Sequence, residues 1–145
     1  MINQEFFTES PEQTINLAQK IGQQLQPNDI IAFTGTLAAG KTTFTKGVAI
    51  ALNIDESITS PTFTIISEYE GKYPLYHIDA YRLQSGEDFY NLGIDDILYN
   101  NGITVIEWSE NVLSEIPKSA IKISIEIVDN NKRKITLQNW KYNPI

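Results

Sequence analysis

The hydrophobic positions change their spacing several times along the chain, and each spacing predicts an element. Residues Gln4–Thr8 read as a short strand. Ser10, Pro11 and Gln13 then carry the signals of a helix start: an N-cap, a proline at the first helical position and a capping-box side chain. Apolar residues at Ile15, Leu17, Ala18, Ile21 and Leu25 recur at helical spacing. Pro27-Asn28-Asp29 is a turn. Ile30–Thr34 is a short unbroken apolar run, the pattern of a strand buried on both faces. Gly35–Gly40 reads as a loop. Lys41–Leu52 returns to helical spacing, with Phe44, Val48, Ala49 and Leu52 on one side.

The second half mixes strand patterns with short helices. Thr59–Phe63 is a loop containing proline. Thr64–Tyr69 and Tyr73–Asp79 flank Gly71-Lys72 and predict a β-hairpin. Ser85–Leu92 and Ile94–Tyr99 predict two short helices, and Ile103–Trp108 another buried strand. In Ala120–Val128, isoleucines at 121, 123, 125 and 127 alternate with Lys122, Ser124 and Glu126, so one wet face is expected. The turn Asp129-Asn130-Asn131 leads into a partner strand, Lys134–Asn139. No repeat or linker interrupts residues 1–145, and one α/β domain is expected.

Composition narrows the class. With 41% hydrophobic and 10% aromatic residues, the chain is too apolar for a disordered tail. No apolar run approaches the ~18 residues of a membrane helix. The start, MINQEFFTES, lacks the basic and apolar stretches of a secretory signal. There are no cysteines, which excludes disulfides, iron–sulfur clusters and thiolate zinc sites. A cytoplasmic protein is expected. The charge is −7, from 11 basic and 18 acidic residues. Such a chain has no broad basic face for nucleic acid, so RNA would be reached only through partners.

The sharpest chemistry lies in Gly35-Thr36-Leu37-Ala38-Ala39-Gly40-Lys41-Thr42, which fits G-x-x-x-x-G-K-[ST] at every fixed position. A buried strand precedes it and a helix follows, as a phosphate-binding loop requires. Its glycines let backbone amides approach phosphate oxygens, and the helix N-terminus adds partial positive charge. Lys41 reaches the outer phosphates, and the Thr42 hydroxyl is placed to ligate Mg²⁺. A guanine reader of the Asn-Lys-x-Asp type is missing from Asn130-Asn131-Lys132 and Asn139-Trp140-Lys141, which favours adenine.

Such a loop needs a carboxylate for the metal and a polar group for water. Asp79 closes the run Leu75-Tyr76-His77-Ile78, and Glu107 closes Ile103-Thr104-Val105-Ile106. Either acid could dominate, and the run ending at Glu107, an apolar strand and then an acid, is the stronger Walker-B-like pattern. His77 reads as a structural histidine. Arg82 is a charge stabiliser or an ion-pair partner. Trp108 either stacks on a ligand or partner, or belongs to the core. Thr62, in Ser60-Pro61-Thr62-Phe63, stands where a switch loop would sense nucleotide.

Four motifs in order resemble the TsaE (formerly YjeE) family. GTLAAGKTTF resembles the family's GDLGAGKTTF, and Ser60-Pro61-Thr62-Phe63 its S-P-T-F segment. His77-Ile78-Asp79-Ala80-Tyr81-Arg82 resembles H-x-D-x-Y-R, and Ile106-Glu107-Trp108-Ser109-Glu110 resembles I-E-W-x-E. The resemblance implies a small single-domain P-loop NTPase, with a central mostly parallel sheet, antiparallel hairpin strands and flanking helices. It implies a bacterial ATPase needed for threonylcarbamoyladenosine in tRNA, turning ATP to ADP with Mg²⁺ and resetting a complex of TsaD-type and TsaB-type partners. Contact with tRNA would be indirect, and no membrane is involved.

By position, the resemblance assigns phosphate binding to Gly35, Thr36, Leu37, Ala38, Ala39, Gly40, Lys41, Thr42 and Thr43. The metal would fall to Thr42 and Glu107, with Asp79 holding metal or activating water. Thr62 would sense the γ-phosphate, and Thr8 and Arg133 would lie near the adenine. Lys41, Asp79 and Glu107 would be the catalytic set. Tyr81, Phe89 and Tyr90 are candidates for a partner surface or for the core. Thr36 stands where the family has an acid and Ala38 where it has a glycine. Two other functions use the same loop: a switch or scaffold that binds ATP without hydrolysis, and a small-molecule kinase. The kinase is disfavoured by the scarcity of arginine for a lid, Arg82 and Arg133 alone.

Overall fold

The computed structural model describes residues 2–35, 40–58, 66–80, 83 and 90–145. In chain order its elements are β1 (Ile2–Thr8), α1 (Pro11–Gln24), β2 (Ile30–Gly35), α2 (Lys41–Ala51), β3 (Ile66–Tyr69), β4 (Leu75–Asp79), α3 (Ile94–Leu98), β5 (Ile103–Glu107), a 3₁₀ segment (Ser109–Glu115), β6 (Ile121–Ile127) and β7 (Arg133–Trp140). The strands form one sheet in the order β1-β7-β6-β2-β5-β4-β3. The central four, β6, β2, β5 and β4, run parallel. Antiparallel pairs finish the sheet on both sides, β6 with β7 and β7 with β1 at one end, β3 with β4 at the other.

Two apolar layers explain the unbroken hydrophobic runs of the central strands. On one face, Ile31, Phe33, Val105, Ile123 and Leu137 meet Leu17, Ile21, Phe44 and Val48 of α1 and α2. On the other, Ile30, Ala32, Ile78 and Ile106 meet Ile94, Leu98, Val112 and Ile116. A strand covered on both faces has no wet side to encode, so its sequence does not alternate.

Local chemistry sets the ends of α1. The Gln13 amide donates to Ser10 Oγ at 3.1 Å, and the Glu9 amide donates to Gln13 Oε1 at 2.7 Å. The box therefore closes one residue before the N-cap rather than on it. α1 lies tightly against α2 because Gly47 has no side chain: a Cβ there would meet Ile15 O at 2.4 Å and Ala18 Cβ at 2.5 Å.

Several predicted boundaries move. β2 extends to Gly35, and β4 starts at Leu75 rather than Tyr73. Trp108 is not in β5; it adopts φ 61°, and this left-handed residue turns the chain out of the sheet into the 3₁₀ segment. On β6 the expected alternation holds, with Ile121, Ile123 and Ile125 buried, Lys122 and Ser124 half-buried and Glu126 exposed. Ile127, at the strand's end beyond the apolar layer, is 50% exposed. The loop at 59–63, most of the helix expected at 85–92, and Tyr81, Arg82 and Phe89 lie outside the described residues. No helix among the described residues is long and apolar enough to cross a membrane.

Candidate nucleotide site

The parallel strands all end on one edge of the sheet, where α/β proteins bind ligands. β2 ends there at Gly35, beside Ile125 of β6. The chain re-enters description at Gly40, whose φ of 112° belongs to the left-handed half of the backbone map, costly for any residue with a Cβ. α2 then starts at Lys41, and its N-cap residue, Gly40, has no side chain with which to cap the helix. A helix N-terminus carries the positive end of the helix dipole, a fit for phosphate. Thr42 and Thr43, in that first turn, are half-buried.

Lys41 itself is 5% exposed. Its Nζ lies 4.0 Å from the centroid of the Trp108 ring. Burial pushes its ammonium below the ordinary lysine range, and the charges of Glu110, Glu107 and Asp79 oppose that shift. The lysine thus faces three acids, from the end of β4, the end of β5 and the 3₁₀ segment after it.

Asp79 and Glu107 are register partners on adjacent parallel strands, so their side chains leave the same face side by side. Asp79 is half-buried and Glu107 is 7% exposed. Glu107 Oε2 accepts from Nε2 of the fully buried His77. The Ala80 amide donates to Glu107 O at 3.0 Å, continuing the pairing past the strand ends. Just beyond Trp108, Ser109 Oγ donates to Phe33 O at 2.9 Å. This buried bond ties the exit of β5 to the strand that enters the phosphate loop.

These residues fit a magnesium ion bound with a nucleotide. Among the described residues no group of three or more His, Asp and Glu could cage a metal. Mg²⁺ rarely needs one: it takes one or two carboxylates and completes its shell with phosphates and water. Two carboxylates next to a helix N-terminus, with a threonine on its first turn, meet that requirement. Glu107 and Thr42 are the side chains that would hold it, with Asp79 beside them to lend a second oxygen or to orient water.

A cleft beside the first turn of α2 is lined by Ser10, Thr14, Gly40, Thr43, Asn131 and Arg133, with Pro11 and Asn130 at its edges. Arg133 donates through Nη1 to Asp129 O at 3.0 Å, Lys132 O at 3.1 Å and Asn130 O at 3.3 Å, which fixes the β6–β7 turn. Thr8 is the register partner of Arg133. It is buried, and its hydroxyl pairs with that of Thr14 at 2.7 Å, so it supports the cleft from behind. The structure thus brings Lys41, Thr42, Asp79 and Glu107 to one strand edge and Thr43 and Arg133 to one cleft. Thr36, Leu37, Ala38, Ala39 and Thr62 lie outside the described residues.

Sequence reasoning missed Thr14, Asn130 and Asn131 as cleft residues and Glu110 as a charge facing Lys41. Asn130 and Asn131 carried a turn signal and Ser10 a capping signal, and neither distinguishes a ligand wall from an ordinary loop.

The family model described as "Threonylcarbamoyl adenosine biosynthesis protein TsaE" matches residues 8–135. The chain belongs to the TsaE family. Its relatives include the tRNA threonylcarbamoyladenosine biosynthesis protein TsaE of Treponema pallidum, 43% identical over 128 residues, covering 88% of this chain and 95% of the relative. The TsaE protein of Bacillus subtilis is 38% identical over 130 residues, covering 89% of this chain and 81% of the relative. Among solved structures, the crystal structure of Bacillus subtilis YdiB superposes with a TM-score of 0.78 at 35% identity, covering 94% of this chain and 84% of that one. The α/β fold and the family expected from the four motifs are therefore those found.

Proposed function

We propose that this TsaE-family protein is a Mg²⁺-dependent ATPase that serves threonylcarbamoyladenosine modification of tRNA. It works in the cytoplasm as a subunit beside TsaD-type and TsaB-type proteins, and its ATP hydrolysis resets or regulates that complex. The observation that carries the reading is the pairing of Asp79 with Glu107 at the strand ends, with Lys41 facing both from the start of α2.

In this reading the α2 amides and Lys41 hold the phosphates, and Thr42 and Glu107 hold the metal. When bound, the metal neutralises charge on the β- and γ-phosphate oxygens. Asp79, half-exposed beside Glu107, orients the attacking water or lends a second oxygen to the metal. Trp108 covers one side of Lys41 and keeps water from it. The cleft at Thr14, Asn131 and Arg133 receives the adenosine. Contact with tRNA runs through the partners, in keeping with the net charge of −7.

The test is Mg²⁺-dependent phosphate release, measured with the chain alone and with TsaB-type and TsaD-type proteins and tRNA added. Slow turnover that rises with the partners is expected. ATP binding with no phosphate release in either setting would replace this reading with that of a nucleotide-sensing scaffold.

A further inference from the structure

His77 is the chain's one histidine, and the chemistry above makes no use of it. It is fully buried in β4, two residues before Asp79. Its Nε2 meets Glu107 Oε2, while Nδ1 has no hydrogen-bond partner among the described residues. A buried side chain with one orphaned nitrogen costs stability that an apolar residue would not. Its neighbours Leu75 and Ile78 show that the strand accommodates apolar side chains.

We propose that His77 is a positioning residue that fixes the carboxylate of Glu107 for the metal, a role resting on the reading of Glu107 as metal ligand. The register makes this possible. Asp79 pairs with Glu107 and His77 with Val105, so His77 and Glu107 share a face, with the imidazole one pair further into the sheet. A carboxylate only accepts hydrogen bonds, so Nε2 carries the proton of this contact. The imidazole engages one oxygen of Glu107 and leaves the other for the ion. Glu107 has a flexible side chain and a cation, Lys41, within electrostatic reach. Anchored from behind, the carboxylate keeps one orientation, with its second oxygen turned toward the nucleotide–metal pair.

A single histidine makes the test clean, because selective ¹⁵N-histidine labelling yields one imidazole. In the metal-free chain the spectrum should show the Nε2–H tautomer, and Glu107→Ala should erase that preference. Metal binding is then read with Mn²⁺ and ADP by calorimetry. His77→Leu should weaken Mn²⁺ binding to the ADP complex by about 10–100-fold. ADP affinity without metal should stay as in the unmodified chain. His77→Gln, whose amide nitrogen can donate to Glu107 from the same place, should recover most of the loss, and the shorter His77→Asn should not. If His77→Leu does not fold, the Gln and Asn pair carries the same comparison. A purely structural histidine would change stability and leave the Mn²⁺ affinity of the folded protein unchanged. That result, alongside a loss of Mn²⁺ binding in Glu107→Ala, would overturn the proposal alone. Full Mn²⁺ affinity in Glu107→Ala would instead overturn the metal assignment on which it rests.

Discussion

The ammonium of Lys41 lies 4.0 Å above the ring of Trp108, the residue directly after the carboxylate at the end of β5. Such a cation–π contact is worth roughly 0.5–2 kcal/mol depending on desolvation. It gives the lysine a resting place against an indole. Phosphates compete for the same charge. Nucleotide binding should therefore draw the ammonium away and change the emission of Trp108. The only other tryptophan, Trp140, is fully buried, and its Nε1 donates to Asn143 O. Titration with ATP should shift the emission of the unmodified chain. Trp108→Phe, which keeps an aromatic face under Lys41, should stay folded and show emission indifferent to ATP.

Lys41 carries its charge into a buried place at a cost in stability. Its ammonium is pushed below the ordinary lysine value of 10.5, chiefly by burial. Lys41→Met keeps the aliphatic stem and removes the buried charge. It should raise the stability of the nucleotide-free chain by about 0.5–1 kcal/mol and abolish ATP binding. The sign also fixes a pH dependence. Below the lowered folded value the folded and unfolded lysines are both charged and the burial cost is fully felt. Above the lowered folded value the native lysine gives up its proton, and the cost fades as pH approaches 10.5. Denaturant titrations of both proteins should show the advantage of Lys41→Met shrinking over that range.

Glu107 and Asp79 share a strand edge and should separate kinetically. Glu107→Ala should spare much of the nucleotide binding held by Lys41 and the helix amides. It should lower Mg²⁺-dependent turnover by about 100-fold or more. Asp79→Asn should lower turnover with little change in the Mg²⁺ concentration needed for half-maximal rate. Normal turnover in Glu107→Ala would make Asp79 the leading metal carboxylate.

Tyr142 holds the end of the chain to the sheet. Its hydroxyl donates to the buried Asp29 Oδ2 at 2.6 Å, and Asp29 also accepts from the Gln26 amide at 2.8 Å and pairs with Lys141 at 3.0 Å. Burial, then this hydrogen bond and the aspartate charge, hold the phenol well above its ordinary value of 10.0. A raised folded value means that the stabilisation is complete below pH 10 and is lost as pH climbs above it. Tyr142→Phe should cost about 1–2 kcal/mol near neutrality. It should also flatten the loss of stability above pH 10, as followed by denaturant midpoints.

Gly47 sets the distance between α1 and α2. A methyl group there would press on the backbone oxygen of Ile15 at 2.4 Å, a group that cannot rotate away. Gly47→Ala should cost about 1–3 kcal/mol despite its better helix propensity, and lower the melting temperature by several degrees.

Runs such as Ile30–Phe33 and Ile103–Ile106 exposed the buried strands in the sequence, because burial on both faces leaves a continuous apolar string. The phosphate loop was legible for a related reason. Its glycines, lysine and threonine are contiguous, so chain order alone brings them together. The four motifs also carried the family. Other relationships cross the chain and left no local mark. Asp79 and Glu107 meet only because β4 and β5 pair in parallel and in that register. His77 reaches Glu107 through the same pairing. Thr8 and Arg133 come together because β1 returns to pair with β7, at the far end of the sequence. Trp108 read more readily as a half-buried core residue, and it does pack against the second apolar layer, while its left-handed backbone also brings its ring to Lys41. The sequence by itself determined the strands, the helices α1, α2 and α3, the phosphate-loop motif and the acids at strand ends, since each is written in neighbouring residues; the 3₁₀ segment after β5 carried no such signal. Which acid is buried against His77, which turn walls the cleft and what lies over Lys41 were decided by strand order and register, because those contacts join residues that only the folded sheet makes neighbours.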